Sequence, residues 1–221
     1  VIEDNAQAIG ADLAFHDGSR RKSGSIGHIA STSFFPSKNL GCYGDGGALF
    51  TNDDELAKKL RRVCNHGSDV RYYHEVVGVN SRLDALQAAV LRVKLKHLDA
   101  YAAARNKVAA RYDEAFARMP QLVVPERSAF STHVFHQYTL RVPGGQRDGL
   151  KQHLEAHGVP AMIYYPVPCH LQNAYRSDRF PQGSLPVTEQ LAHEVLSLPM
   201  STELDEPQIA HIVSTVQHHF K

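Results

Sequence analysis

Cysteine is scarce in this sequence, and neither sign of charge dominates it. The three cysteines, Cys42, Cys64 and Cys169, are odd in number and far apart. They form no C-x-x-C pair, which argues against a disulfide framework and points to reduced thiols in a cytoplasm. Basic residues number 24 against 23 acidic ones, a formal net charge of +1, so no global field recruits nucleic acid or an anionic membrane surface. No apolar run approaches the roughly 20 residues that a membrane-spanning helix needs. The chain opens on Val1-Ile2-Glu3-Asp4, with neither an initiator methionine nor a signal-peptide pattern, and reads as though it starts inside a strand. What is present is a globular composition: 221 residues, 43% of them hydrophobic, enough to bury a core in one or two domains.

The first part alternates short strand-like runs with turns. "IASTSFF" and "GALFT" read as strands, because β-branched and aromatic residues sit between glycine and proline punctuators. "DDELAKKLRRVCNHG" reads as a helix, acidic at its start, basic later and stopped by Gly67. From Ser81 to Met119 runs the longest helical pattern, with Leu83, Leu86, Val90 and Val93 stepping by three and four. Ser81 with Asp84 is a capping signature at its start. Unbroken, that helix would span roughly 58 Å at about 1.5 Å per residue, too long for one compact domain, so it reads as a spine joining two. Beyond Pro120, "VFHQYTLRV" and "VPAMIYYPVP" read as strands. Helices are expected over "QRDGLKQHLEAHG", near 187–196 and from Glu206 to His219. The expected domains are therefore 1–119, α/β with the long helix, and 120–221, a small α+β unit.

One lysine sits oddly. In "STSFFPSKNLGCYGDGGALFTN" (31–52), Lys38 lies between a strand end and a run of glycines, Gly41, Gly44, Gly46 and Gly47. Asp4 ends the apolar pair Val1-Ile2, where a carboxylate would emerge at the edge of a sheet. Gln7 follows it, and Ser33 lies at the end of another strand. Pyridoxal 5'-phosphate uses such a set: a lysine amine for its Schiff base, a carboxylate to keep the pyridine nitrogen protonated, and hydroxyls and amides for the phosphate. The lysine, once freed, is also the general base, and glycine lets backbone approach a bulky ligand. On residue type alone each has a plainer reading. An Asp after two aliphatics is commonly a cap, a G-D-G-G run a hairpin turn, and a lone lysine a solvated one.

The ordered boxes "VIEDNAQAIGA", "TSFFPSKNLGCYGDGGALFTND" and "GVNSRLDALQAAVLRVKL", with "YYPVPCHLQNAY" and "LSLPM" later on, resemble the DegT/StrS family of sugar aminotransferases over essentially the whole chain. The resemblance implies a partial pyridoxal-phosphate-dependent transferase of fold type I: part of the large domain, a long connecting helix and a small C-terminal α+β domain. It implies a homodimer with shared active sites. By position, Asp4 would meet the pyridine nitrogen, Gln7 the ring hydroxyl and Ser33 the phosphate. Lys38 would be the Schiff-base lysine, and Asn80 would reach the partner subunit's phosphate. His170 would line the sugar pocket, though by type alone it is a loop histidine; Arg82 and Tyr164 are further substrate candidates, Arg82 meeting substrate phosphates or else pairing with an acidic neighbour. The implied substrates are nucleotide-linked keto-sugars, with glutamate or glutamine as amino donor, and a lysine rather than a histidine at position 38 favours transamination over dehydration. Family members carry an N-terminal half ahead of the E-D-x-A-Q box, so these residues are expected to be the C-terminal portion of such an enzyme, weak in binding the cofactor by themselves.

The 14 histidines offer little else. His153 and His157 share a helix face but lack a carboxylate or thiol at ligand spacing, which favours a solvated face over zinc. His133 and His136, on a strand, would point to opposite faces. A non-catalytic dimerisation fragment remains the alternative function, and a metal-dependent hydrolase is disfavoured.

Overall fold

The computed structural model describes residues 1–221. The chain forms two compact units, Val1–Ala103 with Ser128–His136, and Ala104–Arg127 with Gln137–Lys221. The boundary expected at Pro120 is thus replaced by one inside a helix, and a later segment returns to the first unit. That return has a visible cause. The Asp12 amide donates to Thr132 Oγ1 at 2.7 Å and Ala14 N to the Phe130 carbonyl at 2.7 Å.

The first unit is built on a three-stranded sheet of order β1-β4-β5. Strand β1 (Ile2–Asp4) runs parallel to β4 (Ile29–Ser33), and β5 (Gly47–Phe50) runs antiparallel to β4. Strand β4 alternates half-buried and buried positions, with Ala30 and Thr32 pointing inward, the period of two that a one-sided strand requires. A hairpin not foreseen from the sequence, β2 (Asp12–Ala14) with β3 (Arg20–Lys22), turns through Asp17-Gly18-Ser19. Asp17 Oδ1 accepts from both the amide and the hydroxyl of Ser19 there. Helix α1 (Asp54–Cys64) starts on Asp53, whose carboxylate accepts from the amides of Glu55 and Leu56, satisfying two donors that the helix itself leaves open.

The long helical pattern is divided and shorter than expected. Helix α2 (Ala85–Lys94) passes through a 3-10 turn at Leu95–His97 into α3 (Leu98–Phe116). Asp84, not Ser81, occupies the cap position, and its side chain makes no capping bond. Phe34, Leu40, Cys42, Leu91 and Leu98 pack together as the first unit's core beside the lysine-bearing loop.

In the second unit, β6 (Tyr138–Arg141) pairs antiparallel with β7 (Val195–Leu198). Around them lie α4 (Arg147–Ala156), α5 (Pro186–Glu194) and α6 (Glu206–His219). Tyr112, Phe116, Leu140, Leu150, Leu154, Leu196 and Val216 are fully buried. The Tyr138 hydroxyl donates to Asp113 Oδ1 at 2.7 Å, and burial together with that carboxylate pushes the phenol far above its ordinary range. Strand β7 was not anticipated, and the strand expected over 159–168 is reduced to one bridge, Met162 to Ser197. Neither His133 nor His136 lies in a strand. The rings of His153 and His157 stand 4.3 Å apart, with His219 5.2 Å from His153.

Helix α6 opens with a reciprocal capping box: Asp205 Oδ1 accepts from the Gln208 amide and Gln208 Oε1 from the Asp205 amide. Asp205→Ala therefore loses about 1 kcal/mol of stability, measurable as a lowered denaturation midpoint with an unchanged denaturant slope.

Candidate active site

Two strand ends meet at one edge of the first sheet. In the parallel pairing Asp4 stands opposite Ser31, so Ser33 ends β4 just beyond the point where β1 ends at Asp4. The turn after β1 is tied to β4 by two bonds, Asn5 N to the Ser31 carbonyl at 2.8 Å and Thr32 Oγ1 to the Asn5 carbonyl at 3.0 Å. Strand carboxyl ends in α/β sheets are where ligands are bound. Asp4 is exposed, and its Oδ1 accepts only from the Ala6 amide at 3.1 Å. Gln7 is exposed on the following turn. Ser33 Oγ accepts from Phe35 N at 3.3 Å, which leaves its own proton to donate.

Lys38 rides on a loop that leaves β4 at Ser33 and returns at Gly47, the residue paired with Ser33 across the sheet. Several bonds close that loop on itself. Phe34 N donates to the Gly46 carbonyl, Cys42 N to the Phe34 carbonyl and Lys38 N to the Phe35 carbonyl, each at 2.8 Å. The Cys42 thiol adds contacts to the carbonyls of Phe34 and Gly44, both at 3.0 Å. From outside, Asn39 Nδ2 reaches the Val134 carbonyl at 2.8 Å, Gln87 Oε1 accepts from Tyr43 N at 2.8 Å, and Lys94 Nζ donates to the Gly41 carbonyl. The half-buried Lys38 amine itself engages no hydrogen bond or ion pair, so the clamps fix its backbone and leave its nitrogen available. A methyl group at Gly41 would stand 2.4 Å from the Pro36 carbonyl oxygen. Gly41→Ala is expected to cost about 1–3 kcal/mol through overpacking, read by chemical denaturation.

Asn80 and Arg82 lie together on the segment entering α2. That segment is stitched to the end of α1 by Val79 N to the Val63 carbonyl and Ser81 N to the Cys64 carbonyl, and Arg82 Nε donates to Asn80 Oδ1 at 3.1 Å. Both are exposed. Tyr164 and His170 belong to the second unit. His170 is buried in a short 3-10 turn, with Nε2 3.0 Å from Glu189 Oε1. That hydrogen bond, with the amides of Gly183 and Leu185, holds the Glu189 carboxyl below its ordinary range.

A cavity of about 1040 Å³ in the first unit, bordered by Asn5, Thr32, Phe50, Leu60 and Leu98, includes none of Asp4, Gln7, Ser33 and Lys38. Sequence reasoning missed the clamps at Asn39, Gln87 and Lys94. Gln87 stands inside the Q-A-A box, which was a usable signal, whereas nothing local marks Asn39 or Lys94.

Fold and site together describe an α/β chain that carries a clamped, lysine-bearing loop at the carboxyl edge of its sheet. The model of the DegT/DnrJ/EryC1/StrS aminotransferase family matches residues 1–217, and the chain belongs to that family. It is 47% identical over 225 residues to a Geobacillus stearothermophilus protein named a pleiotropic regulatory protein, covering 100% of this chain and 58% of that one. It is 44% identical over 217 residues to the dTDP-3-amino-3,4,6-trideoxy-alpha-D-glucose transaminase of Streptomyces venezuelae, covering 98% of this chain and 55% of that enzyme. The solved structure of S. venezuelae DesV in complex with a ketimine intermediate superposes with a TM-score of 0.91 at 44% identity, over 98% of this chain and 57% of that one. The chain thus spans little more than half the length of these relatives.

Proposed function

We propose that this chain is the lysine-bearing part of a pyridoxal-phosphate-dependent enzyme that transfers an amino group to a nucleotide-linked keto-sugar, with glutamate or glutamine as donor. The observation that carries this reading is the meeting of Asp4, Ser33 and the clamped Lys38 loop at one sheet edge. The residues fit the cofactor chemically: an amine without a partner, a carboxylate with one oxygen unengaged, and a hydroxyl with a proton to give. Bound there, pyridoxal phosphate supplies an electron sink for the carbon that gains or loses the amino group. Asp4 would keep a proton on the ring nitrogen, Gln7 would bind the ring hydroxyl, and Ser33 would donate to the phosphate. Lys38 would anchor the cofactor and, when released, take up and return a proton at Nζ.

Exposed apolar side chains on the first unit, among them Tyr72, Val77 and Leu86, support a homodimer, in which Asn80 would face the partner subunit's phosphate. Arg82, Tyr164 and His170 are assigned to the substrate. The three free thiols suit a cytoplasmic setting, and no helix is long and apolar enough to cross a membrane. The name of the S. venezuelae relative supports the sugar-nucleotide class. The test is to incubate the full-length protein with pyridoxal phosphate, glutamate or glutamine, and a panel of keto-sugar nucleotides. Mass spectrometry should find one amino-sugar product, and none across the panel would contradict the proposal.

A further inference from the structure

Beside Asp4 sits a carboxylate with a different task. Glu3 turns its side chain into the loop between β3 and β4. There Oε2 accepts from the Gly24 amide at 2.7 Å, and Oε1 accepts from the Ile26 amide at 2.6 Å and from the Gly27 amide. Three backbone donors of one short loop thus converge on one side chain, an anion nest filled from within the chain. Partial burial opposes ionisation, but the amides of Gly27, Gly24 and Ile26 outweigh it and hold the carboxyl below its ordinary range.

The loop is fixed independently of Glu3. Ser23 Oγ donates to the Ala8 carbonyl at 2.6 Å, Ser23 N to the Ala11 carbonyl at 2.9 Å, and Asn52 Nδ2 to the Ser25 carbonyl at 3.1 Å. It also lies close to β1. A Cβ at Gly24, whose φ is +88°, would stand 2.7 Å from Asn5 Nδ2, and one at Gly27 would stand 3.1 Å from Val1. A slip of one residue would turn every side chain of β1 to the opposite face.

We propose that Glu3 is a positioning residue: seated in the amides of Gly24, Ile26 and Gly27, it sets the register of β1 against β4 and so aims Asp4 at the cofactor side of the sheet edge. The consequence for the cofactor rests on the reading that Asp4 meets the ring nitrogen. A glutamine in the nest presents one acceptor and one donor to three donors, so it cannot replace the carboxylate.

The test uses the full-length protein with Glu3→Gln, and with Glu3→Asp, which keeps the charge and shortens the reach, should Glu3→Gln fail to fold. Amide hydrogen exchange at Gly24, Ile26, Gly27 and Ala6 is expected to quicken about tenfold or more, since the loop amides lose their charge-assisted acceptor and the turn after β1 loosens with them. The visible band of bound pyridoxal phosphate should move toward that of Asp4→Asn, with cofactor affinity down by about tenfold. Unchanged exchange would overturn the proposal. Faster exchange at the loop with a wild-type band and affinity would make Glu3 a loop anchor only, and would overturn its positioning role. If Asp4→Asn itself keeps the wild-type band, the cofactor reading of Asp4 fails. Exchange at Ala6, whose amide donates to Asp4, then decides the proposal alone, quickening in support and constancy against.

Discussion

Lys38→Arg is expected to abolish turnover, by roughly three orders of magnitude or more, while the protein stays folded. The loop carrying Lys38 is closed by backbone bonds and by Asn39, Gln87 and Lys94, none of which uses the Lys38 amine. Substitution therefore removes chemistry and leaves the scaffold. A guanidinium keeps the positive charge but stays protonated, so it can neither anchor the cofactor covalently nor act as the base. A general base alone accounts for about 10²–10⁴ in rate. The measurement is single-turnover kinetics beside a melting curve, and a variant that melts like wild type yet turns over within tenfold of it would contradict the assignment.

Asp4→Asn is expected to lower the rate by about ten- to thousandfold. A carboxylate in contact with a titrating nitrogen moves its pKa by about 1–3 units, each unit being about tenfold in the population of the protonated form. The isosteric amide keeps an oxygen for the Ala6 amide, so the local turn survives and the loss is electronic. The visible band of the bound cofactor should lose its neutral-pH form in parallel. Near-wild-type turnover would mean that the ring nitrogen is held elsewhere.

The placement of two candidate-site residues was legible, because they sit at strand ends in chain order. Asp4 and Ser33 close two short β-branched runs, and both runs are strands, β1 and β4. Helix α6 spans Glu206–His219 as its pattern suggests, because Asp205 and Gln208 mark its start in the sequence itself. The failures have physical causes. No glycine or proline lies from Val187 to Leu198, across the junction of helix α5 and β7, so the strand hides in the tail of a helical pattern. In the "VPAMIYYPVP" stretch, prolines 160, 166 and 168 remove the donors a ladder needs. The helix expected from Ser81 starts at Ala85 because residues 79–81 bond to the end of α1 instead. Within the site, the unreadable parts are long-range. Lys94 lies 53 positions from Gly41, and Asn39 lies 95 from Val134, distances at which no local pattern operates.

The central claim is that Lys38 carries the cofactor. Full-length protein incubated with pyridoxal phosphate, reduced with borohydride and digested should yield one labelled peptide, the one containing Lys38. Recovery of the label on Lys58, Lys59 or Lys94 instead, or no covalent label at all on a folded protein, would contradict it.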